Sequence, residues 1–361
     1  MSRRRTNKMQ IGNRTLRALL CVIVFLITLS AALLITPTSH ASDKSRGRSP
    51  EFPESPSLKY YEKGRQSYLS LTPPNLRKAI ELYNRSLELD PNFVPAHAGL
   101  AEAYSFIGHF NFEDHEDYEK PLTEANEHAL KAVALDGNSY LAHRALALNM
   151  LHLKRSRDAK REARRALELN PNDAETIYIL WEARGANPDS PLIKKALDID
   201  PNLVMVHLGL GKSYFYKKNY SKSVSQLKRT LKLSPRLEFA QKGLGTALRK
   251  KGEFEKSASA YLKAIEINPN YASAYVNLGI TQLYMGDIED SIATQKKAIS
   301  LNPRFPEAYY YLGRGYDLTA DYPEAERLYL EFLKLASDDD AYIPMTARAE
   351  RNLQRLHNLS K

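Results

Sequence analysis

The chain has 361 residues, of which 43% are apolar, an ordinary proportion for folded protein. That length exceeds one ordinary core, so two domains or a repeat array is expected. A single cysteine, Cys21, excludes a disulfide framework and a thiolate zinc site within the chain. Lys and Arg number 52 against 42 acidic residues, a formal charge of +10, but six of the basic residues precede residue 18. The remainder carries 46 against 42, a net +4. The excess is therefore mostly a targeting feature, and nucleic acid is not an expected partner.

Residues 1–17 carry Arg3, Arg4, Arg5, Lys8, Arg14 and Arg17 and no acid, a basic N-terminus placed in the cytoplasm by its charge. No charge then occurs from Ala18 to Ile35, which includes "CVIVFLITL". We read 18–36 as a transmembrane signal anchor or a signal peptide. The run is long enough to cross a bilayer as a helix. "SHA", Ser39 to Ala41, offers small residues at the spacing for cleavage, whereas the run exceeds the usual signal-peptide core and favours an anchor. Both readings place residues beyond 42 outside the cytoplasm, in the periplasm if the source is bacterial. The membrane is a partner only if the segment stays uncleaved. Residues 42–58, "SDKSRGRSPEFPESPSL", read as a flexible linker.

Beyond it one phrase recurs. "IEINPNYASAYVNLG" at 265–279 and "ISLNPRFPEAYYYLG" at 299–313 are 34 residues apart. An Asx/Ser-Pro step follows an apolar residue at Pro91, Pro171, Pro201, Pro235, Pro269 and Pro303, the last four spaced by 34, and Gly137 fills the gap before Pro171. Within each unit apolar residues fall at helical spacing in two runs, so two antiparallel helices are expected per unit. In 238–271, Leu244, Gly245 and Leu248 mark the first helix, Gly252 the turn, and Ser257, Tyr261, Ala264 and Ile267 the second. Small residues let two helices approach, and proline resets the chain for the next unit.

This pattern resembles the tetratricopeptide repeat (TPR) family. In 306–336 the signature reads Tyr309, Leu312, Gly313, Tyr316, Ala325 and Tyr329, with Phe332 replacing a small residue. In 272–305 it reads Tyr275, Leu278, Gly279, Ala298 and Pro303, but Gln282, Ser291 and Gln295 depart. In 204–237 it reads Leu210, Gly211, Tyr214, Ser223, Thr230 and Pro235, and in 140–173 Leu146, Ala147, Ala159, Ala166 and Pro171. The resemblance implies an all-α, right-handed solenoid of about eight helix hairpins over 60–336: 60–93, 94–139, 140–173, 174–203, 204–237, 238–271, 272–305 and 306–336. The first unit is similar to extracytoplasmic TPR segments of bacterial membrane-bound regulators. Only 17 residues precede the apolar run, too few for a DNA-binding or kinase domain, so the sensor-like half alone is expected.

Two units are irregular. In 94–139 about 12 residues are inserted after Gly108, in "HFNFEDHEDYEKP", read as a solvated acidic loop although its His and acidic residues invite comparison with a metal site. In 174–203 the first helix ends near Arg184 and the second is cut to about Leu192–Ile199; either Trp181 fills the gap or the fold departs locally and the array bends there. Residues 340–361 read as a capping helix, with Asp340 at its start and Ala349, Leu353, Leu356 and Ser360 inward.

Nothing reads as catalytic machinery. "GLGKS" at 209–213 lacks the upstream glycine of a phosphate loop and follows no strand. His143 and His207 read as core. No enzyme, cofactor or metal is expected. The resemblance instead implies a concave binding face built from first helices. Carried over, it comprises Tyr178, Lys212, Phe215, Tyr216, Lys242, Arg249, Asn277, Tyr284, Tyr310 and Arg314, with Phe106, Arg144, Phe239, Lys250 and Tyr311 beside them. Of a carboxylate clamp, Lys242 and Asn277 fit, but Thr246, Glu307 and Tyr311 do not. The expected function is a non-enzymatic adaptor or scaffold holding a protein or peptide partner, acidic and partly aromatic. The alternative is a structural spacer in a cell-envelope assembly or sensor complex.

Overall fold

The computed structural model describes residues 55–113, 117–337 and 340–359. The basic segment 1–17, the apolar segment 18–36 and most of 42–58 lie outside them. Helix α1 (Pro56–Tyr68) begins inside the span read as linker. Proline suits the first helical turn, and Ser55 Oγ accepts from the Leu58 N–H at 3.1 Å, which caps the start.

Among the described residues the regular structure is helical. Hairpins pair α1 with α2 (Pro73–Leu89), α3 (Val94–Glu113) with α4 (Glu119–Leu135), and α5 (Tyr140–His152) with α6 (Ser156–Leu169). Next come α7 (Ala174–Ala183) with α8 (Pro191–Ile199), α9 (Val204–Tyr216) with α10 (Tyr220–Leu233), and α11 (Glu238–Lys250) with α12 (Phe254–Ile267). The last are α13 (Ala272–Met285) with α14 (Ile288–Leu301) and α15 (Pro306–Leu318) with α16 (Tyr322–Ala336). Each first helix packs on its partner, on the hairpin before, and on the next first helix. The chain is therefore an all-α solenoid, with first helices forming the inner layer.

Repeating local bonds explain the repeating residues. A Cβ at Gly245 would lie 2.7 Å from the Tyr261 ring, so only glycine permits that approach. Gln295 occupies the corresponding place over Gly279 and donates to the Val276 carbonyl at 3.0 Å. Ser291, a second departure in that unit, also finds a partner within the hairpin, whereas Gln282 Oε1 and Gln295 Oε1 are buried without one. Ser223, Ser257 and Ser291 donate to the carbonyls of Gly211, Gly245 and Gly279, each at 2.8 Å. His143 and His207 are indeed core: they hydrogen-bond the carbonyls of Gly137 and Pro201, at 3.0 Å, six residues earlier. His97 and Tyr309 make the same tie to Pro91 and Pro303, each at 3.1 Å.

The irregular units shape the array. Helix α3 runs through the point read as a loop, since it continues to Glu113 and carries His109 and Phe110 inward. Residues 114–116 lie outside the described residues. In the short fourth hairpin Trp181 is 1% exposed, and its Nε1 donates to the Asn187 carbonyl at 2.6 Å. The indole fills the space that the truncated α7 and α8 leave.

The beginning of the array returns to its middle. Phe110 on α3 packs on Phe239 of α11, with ring centroids 4.9 Å apart. Ser234 Oγ donates to the Ser70 carbonyl at 2.7 Å, and Leu71 and Leu237 are buried in the same core. At the far end a 3-10 turn, Asp340–Tyr342, leads into α17 (Ile343–Leu359). Ala349 and Leu356 are buried beneath it, Tyr342 donates to Glu307 at 2.9 Å, and Arg355 pairs with Asp317.

Candidate functional site

The inner layer divides into a sealed end, an open cavity and a C-terminal core. The sealed end belongs to a buried ion network. Arg144 Nε donates to Glu102 at 2.6 Å and Nη1 to Asp173 at 3.0 Å, while Arg65 donates to Glu102 at 3.0 Å and also pairs with Glu175. Burial pushes the Glu102 carboxyl up against the pull of both arginines; at Glu175 burial also opposes ionisation, but Arg144 and Arg65 hold the carboxyl below its ordinary value. Arg144, expected on the concave face, is only 3% exposed. Its charge is taken up by Glu102 of α3 and by Asp173 and Glu175 at the start of α7, which leaves it buried rather than on the concave surface.

The cavity lies between α3, α5, α7, α9 and α11 and encloses about 170 Å³. Tyr178, Lys212, Phe215, Tyr216 and Lys242 all line it, as do Phe106 and Phe239. Tyr178 is largely buried, its ring 5.7 Å from that of Trp181. Tyr216 stands at the opposite extreme, 71% exposed, with its ring edge-on to Phe215 at 5.9 Å. Lys242 Nζ sits over Phe239 and Tyr271, at 4.6 and 5.1 Å from the ring centroids.

Two histidines complete the wall. His109 and His152 stack at 4.5 Å with ring planes 7° apart, and Phe106 meets His152 edge-on at 5.3 Å. Burial, then repulsion from Lys212, Lys154 and Lys242, lowers His109 to about 3. Burial, then the neighbouring His109, holds His152 well below the ordinary imidazole value. Both rings are therefore neutral at pH 7, and the lysines supply the positive charge. His152 occupies a concave position of its helix and was legible in the register. His109 lies past the regular end of α3, so register gave no signal for it.

The remaining expected residues fall elsewhere. Arg249 donates to Asn277 Oδ1 at 3.0 Å, and Asn277 donates to the Ser273 carbonyl at 2.8 Å. Tyr284 stacks on Phe254 of α12, with centroids 5.5 Å apart and planes 2° apart. Arg314 is half-buried on α15. Tyr310 is not a groove residue: at 5% exposure it packs against Phe332 and Tyr329 in the C-terminal core. Phe332 stands where the family has a small residue, and its ring occupies the space into which Tyr310 turns. Among the described residues no group of three or more His, Cys, Asp or Glu is placed to hold a metal. No helix among them is long and apolar enough to cross a membrane.

Residues 245–286 match the family described as TPR repeat, and residues 272–305 match the tetratricopeptide repeat. The chain carries tetratricopeptide repeats over 245–305. Over 93 residues this TPR protein is 30% identical to the transcriptional regulator HilA of Salmonella typhimurium, a match covering 26% of the chain and 16% of HilA. The chain thus spans a small part of that relative. Among solved structures, the TPR array is similar to the APC/C hetero-tetramer Cut9-Hcn1 at a TM-score of 0.62 and 13% identity, covering 81% of this chain and 54% of that one. It is also similar to yeast Tom70 at a TM-score of 0.50 and 17% identity, covering 87% of this chain and 67% of that one. At these identities both likenesses concern the fold.

Proposed function

We propose that this TPR array is a non-enzymatic scaffold that holds an acidic, aromatic-bearing segment of a partner protein outside the cytoplasm. The observation that carries the reading is the strip on α9 and α11. Exposed Tyr216, half-buried Phe215 and the cations Lys212 and Lys242 lie together at the mouth of one concave cavity. Aromatic anchors beside charge-assisted contacts dominate many binding energies. The location rests on the charge asymmetry around residues 18–36, and in a bacterium it is the periplasm.

Fluorescent peptides that combine Asp or Glu with Tyr or Trp test the binding. The parent should prefer them over uncharged counterparts, and the preference should weaken with salt. Tyr216→Ala with Lys212→Glu should leave thermal unfolding nearly unchanged and lose the preference. If that variant stays folded and binds as the parent does, the strip is not the site. The spacer reading then gains, since Leu130, Leu262 and Leu330 are each more than half exposed on second helices. A reporter fused after Lys361 tests location, and efficient cytoplasmic reporter activity would overturn the extracytoplasmic placement.

A further inference from the structure

We propose that His97 and His128 form a binding site for one late first-row divalent metal ion, Cu(II) ahead of Ni(II) and Zn(II), across the hairpin of α3 and α4. Their Nδ1 atoms face each other at 3.0 Å. Two ligands at right angles on one ion, with bonds of about 2.0–2.1 Å to imidazole, stand about 2.9 Å apart. The spacing is therefore that of neighbouring positions in a tetragonal shell, the geometry that Cu(II) and Ni(II) favour with nitrogen donors.

His97 is already set as a ligand. Its Nε2 donates to the Pro91 carbonyl at 3.1 Å, and a carbonyl can only accept, so the proton sits on Nε2 and Nδ1 is bare. A ring N–H tied to a backbone carbonyl is the usual support of a metal-bound histidine. Burial lowers both imidazoles below their ordinary value, so both are neutral at pH 7. His128 Nδ1 therefore donates across the pair. An entering ion takes the place of that proton, which moves to Nε2 of His128, and the second Nδ1 becomes bare as well. His97 is 7% exposed but His128 is only half-buried, so the ion approaches from the α4 side.

Other hairpins show that the imidazole pair is not a requirement of the fold. The corresponding position of the third hairpin is His143, whose Nδ1 meets Glu162 at 2.8 Å, and that of the fifth is His207, whose Nδ1 meets Gln226 at 2.8 Å. Both keep the tie to a carbonyl six residues earlier. His109 and His152 are also close, but they stack with planes 7° apart, so their lone pairs lie in parallel planes and do not converge. Glu124 stands near His128 and is engaged by the Tyr104 hydroxyl. No third His, Cys, Asp or Glu among the described residues completes a set, so water fills the remaining positions. A bound ion ties α3 to α4 and stabilises the hairpin in proportion to its occupancy.

Calorimetric titration of the full chain with copper(II) chloride, in a non-coordinating buffer, tests the site. One ion per chain should bind with a dissociation constant below about 0.1 mM, and magnesium chloride should not bind. His128→Gln copies the His207–Gln226 pair, and His97→Tyr copies Tyr309, whose hydroxyl makes the same carbonyl tie, so both variants keep a hydrogen-bonded hairpin. Each should weaken the binding of that ion at least about tenfold, whereas His143→Gln should not. Electron paramagnetic resonance of the parent with one equivalent of Cu(II) should show coupling to two imidazole nitrogens, a readout that stands even where a variant fails to fold. Either variant binding as the parent does, coupling to fewer than two nitrogens, or no saturable binding below that limit overturns the proposal. The peptide strip on α9 and α11 is tested separately and is untouched by these outcomes.

Discussion

Ser234 and Ser70 meet across 164 residues of chain, the hydroxyl of the first donating to the carbonyl of the second at 2.7 Å. Six equivalent turns of the array carry Asp or Asn before the proline or glycine, and that side chain accepts the N–H two residues on, at Asp90, Asp136, Asn170, Asp200, Asn268 and Asn302. Serine replaces it at 234, and its hydroxyl is turned outward to the first hairpin instead.

Ser234→Ala should therefore act on the return contact rather than on its own turn. Ser70 is half-buried, so losing this hydrogen bond costs about 0.5–1.5 kcal/mol. Hydrogen exchange should quicken together in α1, the 69–72 turn and the start of α11. Unchanged protection at all three would show that the contact carries no stability.

Trp181→Ala should cost roughly 3–5 kcal/mol, the range for truncating a large buried side chain. In a quasi-linear array the loss should loosen α7 and α8 before α15 and α16. Protection lost evenly along the chain would contradict a local packing role.

Arg144→Met leaves Glu102 and Glu175 short of a counter-charge in the interior. Breaking a buried pair on one side typically costs about 3–5 kcal/mol. Adding Glu102→Gln should recover part of that loss, because the stranded charge is then removed. Denaturant unfolding of the single and double variants measures it, and strictly additive losses would count against a coupled network.

Acid should destabilise the fold in a window that precedes carboxylate titration. His109 falls to about 3 in the folded chain, below its ordinary 6.5, and burial also lowers His97, His128 and His152. Above pH 6.5 neither state binds the proton, so these groups cost nothing. As pH drops below 6.5 the unfolded chain takes protons that the folded chain refuses, and stability falls until about pH 3. Between pH 6.5 and 5 His109→Phe should flatten that decline, since it keeps the ring and removes the titration. An unaltered slope in thermal unfolding over that range would place the acid sensitivity elsewhere.

The solenoid was legible because its information is local and repeated. The 34-residue period, the glycines that admit Tyr261 or Gln295, and the prolines that end second helices each act within one or two hairpins. The concave positions that the TPR resemblance implies include Tyr178, Lys212, Phe215, Tyr216 and Lys242, and these line one cavity. Register could not say which concave positions stay open. Arg144 and Tyr310 occupy the right positions, yet Glu102 and Asp173 claim the first and Phe332 and Tyr329 enclose the second. Partners that come from other hairpins leave no mark in the periodicity of one. The return of Ser70 to Ser234 and of Phe110 to Phe239 lies further still from the sequence pattern. It depends on small rotations summed over several hairpins and on the extra length of α3, and only the folded chain adds them up.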